Sequence, residues 1–439
     1  MNDQIIEQME NLIKQAWGAM RQQPVLSVIS VIGTALAIFL IMVVVMMNQV
    51  PVAPFAPESN RDRFLNANFV SAVYDDSIGH HGETNSPYSY TAIKELFKSL
   101  QSVEEVASYT CSVYPGNVNV VGEPPVKVDA LATDADFWKV FDFKFIDGRP
   151  YDDAAFESGL QVMVITKSVA RKLFGSTDVT GREILFNYAP YTVAGVVEDV
   201  STIANKAYAQ AWVPFTSVGL DKEEWVAGVT GNFSCTILAR DRADFDDIRD
   251  ECDRRLAEYN KTLAPTYWQI ISRGRPYDQE ASAIAYSANN APDVEYKRRY
   301  DMIVYIILLI VPAVNLSSMT ESRLRQRVSE IGVRRAFGST RGSIVFQLIT
   351  ENLLVTLAAG LLGLLMSLTF AFLCDSMLFS QPFSPTLNPP KADITMLLQW
   401  STFLWALLFC FILNLLSTGI PAWRASRTSV VNAISGRQH

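Results

Sequence analysis

The stretch "SEIGVRRAFGSTRGSIVFQLITENLLVTLAAGLLG", residues 329–363, joins a short basic turn to the start of a long apolar run. About 20 apolar residues suffice for a helix to cross the hydrocarbon core of a bilayer. Comparable runs, almost free of charge, occupy residues 24–50, 300–319, 346–374 and 396–420. Because the core helix of a soluble domain seldom stays uncharged over such a length, the pattern predicts an α-helical membrane protein with four transmembrane helices.

The composition agrees with this prediction, since 49% of the 439 residues are hydrophobic. The first run is far longer than the apolar region of a cleaved signal peptide, and no small-residue cleavage site follows it. We therefore expect residues 24–50 to remain in the membrane as an anchor.

Positive charge sets the predicted orientation, because short cytoplasmic loops are enriched in Lys and Arg. The loop between the second and third runs and the tail after the fourth are both basic; their arginines are Arg323, Arg325, Arg327, Arg334, Arg335, Arg341, Arg424, Arg427 and Arg437. Both termini are thus predicted to be cytoplasmic. The large segment 51–297 and the short loop 376–395 are predicted to lie outside the cytoplasm.

The large outer segment is predicted to be an α+β domain. Its pattern gives strands at 67–74, 104–114, 231–240 and 265–273, with helices at 89–100 and 241–260. Two β-α-β units on either side of an insertion are typical of a split ferredoxin-like fold. The insertion, about 115–225, is rich in short strands and contains one short helix that ends at Gly175.

Residues that could carry chemistry are few. The sequence has no phosphate-binding G-x-x-x-x-G-K-[ST] loop and no catalytic triad pattern, so we expect a non-enzymatic chain that binds no cofactor. His80 and His81 are adjacent and therefore point apart, so no metal site is expected. A disulfide between Cys111 and Cys235 is left open, because the strands that carry them should pair.

Small residues recur at four-residue spacing in the third apolar run, at Ala359, Gly363 and Ser367. This spacing suits close helix–helix packing in lipid. The basic turn before that run is predicted to be a short helix ended by Gly338, after which Ser339 or Thr340 caps the next helix. Such a helix could lie on anionic headgroups or dock another protein, and the residues leave both interpretations open.

The quoted stretch resembles the signature of the FtsX/MacB-type permeases of ABC transporters. The N-terminal stretch "IKQAWGAMRQQPVLSVISVIGTALAIFLIMVV" is similar to the entry helix and first span of that family. The tail "GIPAWRASRTSVVNAI" resembles the closing pattern, although Ser429 stands where proline is usual. Segments between 136 and 200 resemble the MacB periplasmic core domain, so the resemblance covers nearly the whole chain.

The resemblance implies a division of the chain. A cytoplasmic N-terminal helix (1–23) would be followed by the first span (24–50), a Porter-like subdomain (51–114 and 226–290) and a Sabre-like insertion (115–225). Then would come a stalk with the second span (291–322), a coupling-helix loop (323–341), the third span (342–375), an external loop (376–395), the fourth span (396–421) and a cytoplasmic tail (422–439). The coupling helix would comprise Glu330, Ile331, Gly332, Val333, Arg334, Arg335, Ala336, Phe337 and Gly338.

The resemblance also implies partners. MacB carries its ATPase on the same chain, and this sequence contains none, so ATP and Mg²⁺ are expected in a separate cytosolic ATPase subunit that docks the coupling helix. A second copy or a paralogous permease, membrane lipid, and an adaptor with an outer-membrane channel are further expected partners, and no nucleic acid is. The implied function is mechanotransmission across the inner membrane for a peptide, drug, toxin or lipoprotein. An activator of a cell-wall hydrolase and a transmembrane sensor are the alternatives.

Overall fold

The computed structural model of the chain describes residues 24–308 except 77, then 340–379, 386–388, 391 and 394–397, together with residues 310, 333 and 337–338 and parts of 400–415. The chain divides into two compact units. One unit comprises Met1–Asn48, Tyr296–Cys374 and Leu397–His439, and the other comprises Gln49–Glu295 and Asp375–Met396. The second unit is called the outer unit below.

The strands all belong to the outer unit. In chain order they are β1 (Phe64–Ala67), β2 (Val70–Asp75), β3 (His81–Ser86), β4 (Val103–Thr110), β5 (Tyr114–Asn119), β6 (Val126–Thr133), β7 (Phe145–Gly148), β8 (Val162–Thr166), β9 (Glu183–Phe186), β10 (Ala189–Val197), β11 (Ala211–Pro214), β12 (Phe233–Ala239), β13 (Trp268–Ile271) and β14 (Tyr277–Asp278).

The helices occur in both units. They are α1 (Pro24–Gln49), α2 (Tyr90–Ile93, continued by a π-helical turn over Lys94–Lys98), α3 (Phe137–Val140), α4 (Asp153–Glu157), α5 (Lys167–Phe174), α6 (Phe245–Leu263), α7 (Gln279–Ile284), α8 (294–308), α9 (Arg341–Leu373), α10 (Asp375–Phe379) and α11 (Ile394–Leu397).

A large mixed sheet dominates the outer unit, with the strand order β11-β8-β10-β9-β5-β6-β4-β12-β1-β14 and with β7 added at β10. A second sheet has the order β13-β2-β3. The single strand predicted at 67–74 is therefore wrong in one respect, because the chain leaves the large sheet after Ala67. β1 pairs with β12, whereas β2 pairs with β13. The predicted strands at 104–114 and 231–240 pair with each other as β4 and β12 in the large sheet. Those predicted at 67–74 and 265–273 pair as β2 and β13 in the second sheet.

The predicted β-rich insertion joins the same large sheet. β5 pairs with β6, and β6 meets β4 at Tyr109 and Thr133. Hydrogen bonding thus runs through the position where the sequence places the Porter–Sabre boundary, and that boundary stays a prediction. The short helix of the insertion, α5, is capped by the Thr166 side chain and ends at Gly175, whose φ of +69° favours glycine.

The core of the outer unit lies between the large sheet and the helices α2 and α6. The face of α6 predicted to be apolar packs inward: Phe245, Ile248 and Cys252 are buried and Leu256 is half-buried. The opposite face carries the acids and arginines and is exposed. A second cluster on the other side of the sheet is rich in aromatic side chains around Trp212, which is fully buried.

Two long helices characterise the first unit. Among the described residues, Val31–Gln49 in α1 and Leu353–Leu373 in α9 are long and apolar enough to cross a membrane. They coincide with the first and third predicted spans. Helix α8 covers the start of the second predicted span, and most of the predicted 291–322 and 396–421 segments lie outside the described residues.

Candidate functional site

The predicted coupling helix is described at three positions. The Phe337 N–H donates a hydrogen bond to the Val333 carbonyl at 3.1 Å, which closes one helical turn. Gly338 follows with a φ of +96°, and α9 begins at Arg341. The Phe337 ring is 87% exposed. Residues 330–332 and 334–336, including both arginines of the turn, lie outside the described residues.

The small residues predicted to serve helix packing lie in α9, and one of them, Gly363, lies against α1. Ala359, Gly363 and Ser367 are all buried. A Cβ atom at Gly363 would stand 2.7 Å from the Ala35 carbonyl oxygen and 2.9 Å from the Ile38 Cβ, so the two backbones approach closely at this glycine. Further along the pair, the rings of Phe39 and Phe370 meet edge to face at 5.5 Å.

A buried ion pair holds the chain that follows α1. The guanidinium of Arg61 donates to the Glu58 carboxylate at 2.6 Å, and both side chains are fully buried. The same guanidinium donates to the Val50 carbonyl at 3.0 Å and the Ala53 carbonyl at 3.1 Å. A buried charge is tolerated only when it is paired and hydrogen-bonded. The geometry meets this condition and fixes the first turn of chain outside α1.

Residues 201–208, which we call the bracket loop, complete this ion pair. The Ile203 carbonyl accepts a fourth hydrogen bond from this guanidinium, at 3.0 Å. The backbone N–H groups of Lys206 and Ala207 donate to the second Glu58 oxygen at 2.9 and 3.0 Å. Burial lowers the pKa of Lys206 to about 8, and its amine donates to the Asn68 side chain at 2.6 Å.

The other end of the bracket loop meets a buried carboxylate. Asp129 on β6 accepts the Tyr208 hydroxyl at 2.6 Å and the Leu387 N–H at 2.9 Å. The Asn388 side chain adds a contact to Asp129 at 3.2 Å. Burial, and then the hydrogen bond to Asp129, raise the pKa of the Tyr208 phenol, which therefore stays protonated as the donor. The Ser201 hydroxyl donates to the Lys391 carbonyl at 2.5 Å.

The predicted external loop 376–395 is thus hydrogen-bonded to the rest of the outer unit at three of its described residues. Its contacts come from Leu387, Asn388 and Lys391, and the partners on the domain are Asp129 and the bracket loop. Sequence analysis did not single out Asp129, Glu58 or Arg61. A lone acid within the apolar strand "VKVDALAT" is the signal that could have found Asp129, because such a charge requires dedicated partners.

A second charge cluster, in which Asp134 is buried and Lys98 and Asp136 are half-buried, joins α2 to the large sheet. The Lys98 ammonium lies 2.7 Å from Asp134 and 2.5 Å from Asp136 and also donates to the Val106 carbonyl. Burial raises the pKa of Asp134, whereas the pKa of Lys98 is raised by both acids against the opposing effect of burial. The full set of partners around Lys98 marks this cluster as structural.

The disulfide between Cys111 and Cys235, which the sequence left open, is not formed in the structure. The carrying strands do pair, as predicted, but Cys235 lies opposite Ser108, and the Cys111 N–H bonds to the Asn232 carbonyl. The two thiols are therefore out of register and free, with Cys111 exposed and Cys235 buried. The open disulfide prediction is corrected by this offset along the strands.

Of the adjacent histidines, His80 lies in the exposed turn between β2 and β3, and His81 is the first residue of β3. His80 lies 2.8 Å from Asp76 and His81 lies 3.1 Å from Asp75. The backbone and ring N–H groups of His80 lower the pKa of Asp76 to about 2. Within the part of the chain that the structure describes, no group of three or more His, Cys, Asp or Glu side chains could hold a metal ion.

Two protein-family models match the chain. The model of the MacB-like periplasmic core domain matches residues 27–255, just over half of the chain, and the model of the FtsX-like permease C-terminal region matches residues 302–430. The chain belongs to the FtsX/MacB family of ABC transporter permeases. This permease therefore combines a periplasmic core domain with an FtsX-like membrane region, as the sequence resemblance implied.

Curated relatives agree with the family models. The macrolide export ATP-binding/permease protein MacB of Salmonella paratyphi A is 23% identical over 66% of this permease and 43% of its own length. The MacB protein of Neisseria gonorrhoeae is 25% identical over 59% of this permease and 38% of its own length. The permease thus spans less than half the length of the curated relatives that it matches.

Two solved structures are similar to parts of this permease at lower sequence identity. The extracellular domain of the noncanonic ABC-type transporter YknZ from Gram-positive bacteria is 19% identical, covering 46% of this permease and 99% of that chain, with a TM-score of 0.32. The periplasmic region of MacB from Actinobacillus actinomycetemcomitans is 17% identical, covering 47% and 89%, also with a TM-score of 0.32.

Proposed function

We propose that this permease subunit couples ATP binding and hydrolysis in a separate cytosolic ATPase to movements of its periplasmic domain. The observation that carries the proposal is the presence, on one chain, of a MacB-like periplasmic core domain and an FtsX-like permease region. The movement would serve export or extraction of a peptide, drug, toxin or lipoprotein at the outer face of the inner membrane.

The ATPase-docking site in this proposal is the coupling helix at 330–338. Support comes from Phe337, a large apolar side chain that is 87% exposed directly before the glycine that ends the turn. Aromatic side chains in desolvated pockets dominate the energetics of many interfaces. Arg334 and Arg335 would supply charge beside this anchor. ATP and Mg²⁺ would be bound by the partner, and the chain itself would catalyse no reaction.

The proposed assembly contains a second copy of this chain or a paralogous permease, since two coupling helices would be drawn together by two ATPase subunits. The termini and the basic loop would face the cytoplasm, and residues 51–297 would face the periplasm. An adaptor and an outer-membrane channel would be further partners of an export system.

Copurification of this permease with a candidate cytosolic ABC ATPase from the same organism tests the proposal. The variant Phe337→Ala should weaken ATPase binding by roughly 30-fold or more, as expected for an interface anchor worth at least 2 kcal/mol. Arg334→Ala and Arg335→Ala should weaken binding further and make it less dependent on salt. Met377→Ala is a matched control, because Met377 is also a long, 81% exposed side chain but lies in the predicted external loop.

Equal ATPase binding by wild type and Phe337→Ala would show that the coupling assignment is wrong. Failure of any ATPase to copurify with the wild-type permease would contradict the proposed function itself. Copurification of a cell-wall hydrolase on the outer side, in place of an adaptor, would favour the activator alternative.

A further inference from the structure

Two separate stretches of chain, each near a predicted membrane span, are held by hydrogen bonds from other parts of the outer unit. We call these two sets of contacts the first and the second grip, and the same eight-residue loop contributes to both. The first stretch is the chain directly after α1, held through Arg61. The second includes Leu387 and Asn388, which are held through Asp129. The bracket loop, residues 201–208, supplies contacts to both grips.

The first grip is complete and buried. Arg61 and Glu58 are 1% and 0% exposed, and the guanidinium binds the carbonyls of Val50, Ala53 and Ile203 while it pairs with Glu58. The Gln279 side chain also donates to the Pro51 carbonyl at 2.9 Å. Three carbonyl groups within four residues of the α1 exit are therefore fixed by side chains of the outer unit.

The second grip is equally specific. Asp129 is fully buried, and its carboxylate accepts hydrogen bonds from Leu387, Asn388 and Tyr208. The Leu387 contact is made by a backbone N–H, so the grip holds the course of the loop and not merely one side chain. Hydrogen bonds to a buried charge are stronger than those between neutral groups, because water cannot replace the lost partner.

We infer that the bracket loop joins these two grips into one mechanical unit, so that displacement of the chain at Val50 and of the loop at Leu387 moves the outer unit together. Arg61 and Asp129 are then positioning residues for coupling. The inference rests on the proposed function, because it states where membrane movement enters the periplasmic domain.

The physical reason is the shortness of the connection. Ile203 and Lys206 contact the Arg61–Glu58 pair, and Tyr208 contacts Asp129 only two residues later. The Trp212 ring, fully buried, donates to the Ala207 carbonyl at 3.2 Å and fixes the loop on the sheet. A closely packed buried segment shifts as a body because packed interiors deform little.

Hydrogen–deuterium exchange on the full-length permease in nanodiscs, without ATPase, tests the unit directly. The variant Asp129→Asn keeps the shape of the side chain and removes its charge. It should speed exchange at Leu387 at least ~10-fold, as expected from the loss of hydrogen bonds to a charge. It should also speed exchange at Lys206 and Ala207, whose N–H groups bind Glu58 and not Asp129.

Asp147→Asn is the matched control. Asp147 accepts two backbone N–H groups and one hydroxyl, from Val179 and Thr180, but does not touch the bracket loop. Its substitution should change exchange at 179–180 alone. Ser201→Ala is a milder second variant in case Asp129→Asn fails to fold. It removes the hydrogen bond to the Lys391 carbonyl and the one that the Ser201 hydroxyl accepts from the Ile203 N–H within the bracket loop.

The same measurement on the complex with its ATPase, with and without an ATP analogue and Mg²⁺, tests transmission. Nucleotide should change exchange in 203–208 of the wild type and of Asp147→Asn, and this response should be lost in Asp129→Asn. Faster exchange at Leu387 with no change at Lys206 and Ala207 would overturn the inference, whatever the ATPase does. A wild-type complex that shows no nucleotide response would instead overturn the proposed function, while the ATPase-free result still decides whether the grips are joined.

Discussion

The close approach of α1 and α9 at Gly363 leads to a prediction whose size follows from the geometry. In the variant Gly363→Ala the new methyl group would stand 2.7 Å from the Ala35 carbonyl oxygen and 2.9 Å from the Ile38 Cβ. Ordinary contacts of a Cβ atom begin near 3.4 Å. The two helices must therefore separate by roughly 0.7 Å, or the backbone must bend locally.

A separation of this size costs packing energy along the whole contact, because a gap of 0.5–1 Å forfeits about a quarter to a half of each dispersion contact. Overpacking of well-packed interiors typically costs about 1–3 kcal/mol. Alanine is the better helix former by up to ~1 kcal/mol, which offsets part of the loss. The control Gly342→Ala lies in the same helix, and no atom of the described residues outside the helix would stand within 4 Å of its methyl group, so comparison with it removes much of the propensity effect.

We expect Gly363→Ala to be less stable than Gly342→Ala by about 1–3 kcal/mol. Reversible unfolding of the full-length chain in mixed micelles, followed by tryptophan fluorescence, measures the difference. Gly360→Ala should fall between the two, because its methyl group would meet the movable end of the Leu407 side chain. Equal stability of all three variants would refute the close approach of the backbones at Gly363.

Three further predictions concern the outer unit. Lys98→Met should lower the free energy of unfolding by about 3–5 kcal/mol, because it leaves Asp134 buried and unpaired, and the additional change Asp134→Leu should restore part of it. The pKa of Lys206 is about 8 in the folded chain against 10.5 in the reference state. Between these pH values the unfolded state binds more protons, so the stability of the wild type relative to Lys206→Met should rise with pH by roughly 3 kcal/mol, measured by unfolding at pH 7 and pH 10. A membrane-impermeant maleimide added to spheroplasts should label Cys111 rapidly and leave the two buried thiols of the outer unit unlabelled until denaturation, which mass spectrometry of the peptides detects. Labelling of Cys111 only after lysis would contradict the predicted orientation.

The predictable parts of the fold were those set by local periodicity. Helix α6 follows from apolar residues at three- and four-residue spacing, and Gly175 ends α5 because a left-handed residue is needed there. The division of residues 64–75 between two sheets was not predictable. Both halves of that segment are apolar enough to be buried, and only the positions of β12 and β13 determine which half pairs with which strand.

The parts of the candidate site also differ in whether the sequence alone could reveal them. The basic turn was visible because its arginines, Phe337 and Gly338 are neighbours in the sequence. The two grips were not visible, because their partners are far apart along the chain: Asp129 and Leu387 are separated by 258 residues, and Arg61 and Ile203 by 142. A hydrogen bond over such a distance leaves no periodic trace in either segment.

The amino-acid sequence by itself determined the family of this permease and the two apolar helices that are long enough to cross a membrane, because both depend on residues that are close together in the chain. Hydrophobic length and charge act locally, so they can be evaluated without knowledge of the fold. Only the tertiary structure decided that Cys111 and Cys235 stay apart and that the bracket loop connects Arg61 to Asp129. Strand register and the pairing of buried charges depend on the whole domain. Two distant residues become partners only when the rest of the fold brings them together and excludes water from around them.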